Sequence, residues 1–150
     1  MTTKIHQKIL FLCTGNYYRS RFAQHLFNAL ADKQGLHWDA DSRGLAIERG
    51  INNRGAISPY AVQGLKKCGF LVPENERFPL QVVETDFAKF DKIVALDKFE
   101  HHPIMVERFS RWVDIIEYWD VHDLDQTFPP FALKQIEQHI IRLIDLSTKA

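Results

Sequence analysis

The apolar run Ile9-Leu10-Phe11-Leu12 passes without a break into Cys13-Thr14-Gly15-Asn16-Tyr17-Tyr18-Arg19-Ser20, and Phe22, Ala23, Leu26, Phe27 and Leu30 then recur at helical spacing. A short apolar run reads as a strand buried on both faces, and the 3.6-residue period that follows reads as a helix packed on it. A loop that leaves such a strand and enters a helix turns its backbone N–H groups inward, at the positive end of the helix, and makes a concave anion site. Cys13 stands at the floor of that cradle, where Arg19 and the helix terminus favour the thiolate, the form that acts as a nucleophile. Gly15 is free to take positive φ and Asn16 tolerates it, so the loop can curl tightly. Arg19 offers a planar fork to two phosphate oxygens. Ser20 is placed to hydrogen-bond the sulfur and to help cap the helix.

A cysteine ending an apolar strand is commonly just a small buried hydrophobe, and a bare C-x5-R spacing arises easily by chance. Strand, Gly-Asn, Arg-Ser and helix in this order are what turn the segment into a candidate site for covalent phosphate transfer.

The rest of the chain alternates strands with helices, which predicts a parallel sheet covered on both faces. Lys8 to Cys13 reads as the first strand, His37 to Ser42 as the second, Lys92 to Leu96 as the third and Val113 to Ile116 as the fourth. Residues 43–57, with Gly44, Gly50 and Gly55, read as a functional loop. Ser58-Pro59 is an N-cap and first-turn pair for a helix with Ala61, Leu65 and Cys68 on one face, stopped by Gly69. Ala132 to Leu146 reads as a last helix with Leu133, Ile136, Ile140, Leu143 and Ile144 inward. Ligands of such sheets bind beyond the carboxyl ends of the strands, where strand order reverses. Cys13, Ser42, Asp97 and the Asp120 to Asp125 segment each follow a predicted strand, so all would face one crevice.

Length and composition fit one domain over residues 1–150 with a sizeable core, since 45% of the residues are hydrophobic. Lys+Arg and Asp+Glu both number 19, a balance that argues against nucleic acid or an anionic membrane as partner. No spanning or secretory apolar segment stands out, and two cysteines without a framework favour free thiols, so a cytoplasmic location is expected. His101-His102 near Asp97 and Glu100 lack metal-ligand spacing, and the reading calls for no metal and no cofactor. Trp112, Tyr118 and Trp119 read as core or rim.

With C-x5-R-[ST] placed just after a first strand near the N-terminus, the chain resembles the low-molecular-weight protein tyrosine phosphatases. Ser42 sits where that family ends its second strand, Thr85 to Asp97 looks like its third helix and strand, and Asp120-Val121-His122-Asp123 resembles the D-x-x-D-P segment that carries its general acid. The resemblance implies a three-layer, flavodoxin-like α/β domain with a four-stranded parallel sheet in the order 2-1-3-4. It also implies a phosphate monoester hydrolase acting through a phosphocysteine, with Cys13, Arg19 and Asp123 catalytic. Thr14, Gly15, Asn16, Tyr17, Tyr18 and Ser20 would complete the phosphate-binding loop, supported by Ser42 and Asp97. The implied substrate is a phosphotyrosine protein or a small aryl phosphate.

Several positions depart from the family's pattern. Leu124 replaces the proline after the acid, Tyr18 stands in place of a second loop cysteine, and Arg21 replaces a proline at the helix start. Asp125 and Gln126 take the place of an aromatic wall, and Ile47 replaces an aromatic residue after the second strand. Tyr17 either rebuilds part of that wall or is an ordinary exposed loop residue. Cys68 corresponds to a histidine that lies behind the loop in many relatives. Two alternatives stand beside the phosphatase: an arsenate reductase-like enzyme, for which only Cys68 is available as a relay thiol, and a phosphate-binding interaction module with weak turnover.

Overall fold

The computed structural model describes residues 6–123 and 128–148. Strand β1 (Gln7–Cys13) lies at the centre of a sheet ordered β2-β1-β3-β4, with β2 at Trp38–Gly44, β3 at Lys92–Ala95 and β4 at Glu117–Tyr118. All three pairings are parallel. The sheet is covered on both faces by helices α1 (Arg19–Lys33), α2 (Pro59–Lys67), α3 (Lys98–Arg108) and α4 (Pro129–Thr148).

Strand β1 is apolar from Ile9 to Cys13 because each of its faces meets a different core. Ile9 and Phe11 pack with Phe22, Leu26 and Phe27 of α1, Leu65 of α2, and Ile136 and Ile140 of α4. Leu10 and Leu12 point the other way, into a cluster with Phe87, Ile93, Ile104, Met105 and Ile116. Period-two alternation within an unbroken apolar run is therefore what a strand covered on both faces requires. The predicted stripe of α1 lies inward, and α2 is capped as expected, with Ser58 Oγ accepting from Tyr60 N at 3.2 Å. Gly69, at φ +92°, ends that helix in the left-handed region.

Two elements differ from expectation. Val113 to Ile116 is not a strand: the chain leaves α3 through successive turns, with Trp112 N bonded to Phe109 O and Ile115 N to Trp112 O. Trp112 stacks on Phe87, and Val113 and Ile116 pack on the second core while Ile115 is exposed; the two-residue β4 begins only at Glu117. The third helix expected near Thr85 is a single 3₁₀ stretch, Glu84–Ala88. Residues 47–50 of the predicted loop likewise form a short 3₁₀ turn. Among the described residues no helix is long and apolar enough to cross a membrane.

Register places the site. Cys13 pairs with Gly44, Leu12 with Ala95, and Ala95 with Tyr118, so the four strands end on one edge of the sheet. Gly44 is needed there, because a Cβ on it would stand 2.8 Å from the Thr14 carbonyl.

Candidate active site

Cys13 ends β1 with its side chain buried, and its Sγ lies 2.9 Å from Ser20 Oγ. Ser20 belongs to the first turn of α1 but does not cap it: Tyr18 is the N-cap, and no side chain closes that end of the helix. Asn16, not Gly15, takes the positive φ, at +52°. Its side chain explains how a residue with a Cβ is held there. Asn16 Nδ2 donates to Ser20 Oγ and to Ser42 Oγ, both at 2.9 Å, while its Oδ1 accepts from Leu80 N and from Arg77 Nη1, both at 3.0 Å. Ser42 in turn donates to Gln24 at 2.6 Å, so β2 supports the loop from behind.

Arg77 stands behind the loop, on Asn16, although the resemblance matches position 68 to a histidine that lies there in many relatives. It also donates to Asp41, to Ser42 O and to Ser42 Oγ. Cys68 instead caps α2 and donates to Glu137 of α4 at 3.3 Å; burial first, then Glu137, pushes its thiol up to about 11. Arg21 is fully buried and ties the loop to the chain around it, donating to Ala56 O, Arg77 O and the Glu76 carboxylate. That is why no proline is required at this position: the side chain fixes the helix start from outside.

Arg19 is 2% exposed and faces the sheet edge, where carboxylates from two segments converge on it. Its Nη1 donates to Val121 O at 2.9 Å and lies 3.8 Å from Asp97; its Nη2 bonds Glu100 at 2.7 Å and lies 3.7 Å from Asp123. Burial opposes the charge on Arg19, but Cys13, Glu100 and Asp123 outweigh it and raise the pKa above the ordinary value. Asp97 also caps α3, accepting from Phe99 N at 3.1 Å, and contacts His122 Nδ1 at 2.9 Å, which anchors the segment carrying Asp123. Asp123 is 44% exposed and beside the same guanidinium. Leu124, Asp125 and Gln126 lie outside the described residues.

The two loop tyrosines part company. Tyr17 donates its hydroxyl to Arg54 O at 2.5 Å, toward the segment after β2. Tyr18 is buried, edge-on to Tyr60, and bonds Pro129 O at 3.3 Å; burial, then the Asp123 charge, pushes its hydroxyl up to about 12. His101 and His102 do point apart: His101 Nδ1 accepts from Asp97 N at 3.0 Å, whereas the His102 ring lies against Tyr118. Among the described residues no group of three His, Cys, Asp or Glu is arranged to hold a metal.

Glu100 and Arg77 are the participants that sequence reasoning did not find. Glu100 has the signal of position only: it falls in the first turn of a helix that starts directly after a strand at the site edge. Arg77 follows no strand and carries no motif.

Residues 8–143 match the family described as low molecular weight phosphotyrosine protein phosphatase, and the chain belongs to that family. It is 30% identical over 100 residues to the low molecular weight phosphotyrosine protein phosphatase of Sus scrofa, covering 65% of this chain and 60% of that one. It is 29% identical over 106 residues to a protein-arginine-phosphatase of Bacillus subtilis, covering 71% and 65%. In both alignments the chain thus spans less than two-thirds of the curated relative. The fold agrees with a solved low molecular weight protein tyrosine phosphatase from T. tengcongensis, at TM-score 0.75 and 26% identity over 93% of this chain and 98% of that one.

Proposed function

We propose that this protein is a cysteine-dependent phosphate monoester hydrolase acting on phosphotyrosine proteins or small aryl phosphates, as one domain in the cytoplasm. The observation that carries the reading is the convergence of Cys13 Sγ against Ser20 Oγ with Arg19, whose guanidinium lies 3.7 Å from Asp123. In the first step the Cys13 thiolate attacks phosphorus and the P–O bond to the leaving group breaks. Loop amides and Arg19 hold the charged oxygens, and Asp123 gives its proton to the departing oxygen. In the second step the Asp123 carboxylate takes a proton from water, whose oxygen forms the new P–O bond. The S–P bond then breaks and returns the thiolate with inorganic phosphate. Ser20 stabilises the sulfur in both directions.

The arsenate reductase alternative is weaker because Cys68, the available relay thiol, is turned to Glu137 on α4 and has a raised pKa. The test is a phosphate-release screen over phosphotyrosine, phosphoserine and phosphoarginine peptides, aryl phosphates and sugar phosphates, with and without chelator. Hydrolysis of aryl and tyrosyl esters, abolished by Cys13→Ser and indifferent to chelator, is expected. Turnover by Cys13→Ser near the wild-type rate would exclude the covalent route.

A further inference from the structure

The Nη2 nitrogen of Arg19, one of those able to meet a phosphoryl oxygen, is already engaged by an anion of the protein itself. Glu100 Oε2 lies 2.7 Å from that nitrogen, and the same oxygen accepts a hydrogen bond from Thr14 Oγ1. The carboxylate therefore bridges the second residue of the loop and the loop's arginine. The fold delivers it there: β3 ends at Ala95, Asp97 caps α3, and Glu100 occupies the first turn, on the side facing the loop.

The carboxylate is firmly ionised. Burial works to raise its pKa, but the hydrogen bonds of His101 and Thr14 and the charge of Arg19 outweigh burial and hold it well below the usual carboxylate range. His101 Nε2 sits 3.0 Å behind it. Yet Glu100 remains 28% exposed, unlike Asp97 at 3%, so it has solvent to move into while Asp97 does not.

Resting on the reading that this loop holds a phosphoryl group, we propose that Glu100 is a resident competitor for the anion seat, ejected from Arg19 Nη2 when a phosphoryl group enters, and that it sets the affinity of the site. Two carboxylates have distinct tasks on one guanidinium. Asp97, buried and also bonded to Phe99 N and to His122, orients Arg19 and stays. Glu100, partly exposed and held by the side chains of Thr14, Arg19 and His101, occupies the nitrogen until a ligand of higher charge displaces it. The consequence is loose retention of inorganic phosphate, the product, by a cradle that would otherwise bind it tightly.

The alternative is that Glu100 merely orients Arg19, and the two differ in sign. Inorganic phosphate is titrated calorimetrically into Cys13→Ser and into the Cys13→Ser/Glu100→Gln and Cys13→Ser/Glu100→Ser proteins. Competition predicts that both double variants bind phosphate tighter by roughly tenfold or more, the scale of one hydrogen bond between charged groups. In the otherwise wild-type enzyme, Glu100→Gln should lower KM for 4-nitrophenyl phosphate. Unchanged or weaker phosphate binding in both double variants, or no measurable binding in either, would overturn the proposal. Absence of wild-type turnover on every phosphomonoester would instead sink the phosphatase reading, while the titration would still report on Glu100.

Discussion

Arg77 Nη1 donates to Asn16 Oδ1 at 3.0 Å across 61 residues of sequence, and the residue it holds is the one in the loop with positive φ. A non-glycine residue in that region costs of order 1–3 kcal/mol and persists only when its surroundings over-determine it. Here the surroundings are Arg77, Leu80 N, Ser20 and Ser42. Releasing Asn16 would free Ser20 Oγ, and with it the contact to Cys13. Arg77→Met should therefore lower kcat/KM by roughly 10-fold to 100-fold, a loss on the scale of one or two charge-assisted hydrogen bonds. The melting temperature should fall as well, with partial recovery in Arg77→Lys. Wild-type kinetics in Arg77→Met would show that the loop holds its shape without this clamp.

Oxidation should be hard to reverse in this protein. Position 18 holds a buried tyrosine bonded to Pro129 O, and the other cysteine is engaged by Glu137 of α4. A sulfenic acid formed on Cys13 has no adjacent thiol to trap it and should advance to the irreversible acids. After peroxide treatment, dithiothreitol should restore little activity and mass spectrometry should find Cys13 sulfinic acid. Tyr18→Cys should raise the recoverable fraction. An efficient Cys13–Cys68 disulfide in the wild type would contradict this and favour the reductase alternative.

Acid should destabilise the fold in two stages. His25, His101 and His139 all have pKa values lowered first of all by burial. The unfolded chain takes up protons at these positions near the ordinary histidine value of about 6.5, which the folded chain resists, so stability is lost as pH falls below it. Glu100, also depressed, contributes stability that is full above the ordinary carboxylate range and is lost progressively as pH falls from that range through its lower folded value. The melting temperature should thus drop first between about pH 7 and pH 5, and again in stronger acid. His101→Asn, which keeps an acceptor for Asp97 N, should flatten the first stage. A wild-type melting temperature that rises on going to pH 5 would refute the assignment.

What was legible in the sequence was local or periodic. The run from Ile9 to Leu12 and the stripe from Phe22 to Leu30 gave β1 and α1 because each pattern states its own partner face. The order of predicted strands alone places Cys13, Ser42 and Asp97 on one edge of the sheet. Val113 to Ile116 misled because a short segment of strand-like composition can bury just Val113 and Ile116 through turns when Phe87 and Phe109 lie beside them. Glu100 and Arg77 were hidden for another reason. They lie 81 and 61 residues from the groups they touch, and a charged residue on a helix turn or a connecting segment looks solvated until the topology folds it back. Position 16 shows the limit at short range: Gly15 and Asn16 both permit positive φ, and three of the four hydrogen-bond partners that hold Asn16 there, Ser42, Arg77 and Leu80, are distant in sequence.

The proposed acid gives the sharpest test of register. His122 is fixed to Asp97, and Asp123, next in sequence, stands beside Arg19 with nearly half of its side chain exposed toward solvent, where a leaving group would depart. If Asp123 protonates that oxygen, Asp123→Asn should slow hydrolysis of phosphotyrosine, a poor leaving group, by roughly 10²-fold or more. Activated aryl phosphates should lose less in the phosphorylation of Cys13, because their leaving group needs little protonation. Single-turnover kinetics on both substrates separate this step from hydrolysis of the phosphocysteine. Asp125→Asn is the control, two positions further along, and should alter substrate preference and apparent binding more than leaving-group dependence. Should Asp125→Asn carry the leaving-group effect while Asp123→Asn does not, the acid is Asp125, and the contact between Asp123 and Arg19 serves only to balance the charge of the guanidinium.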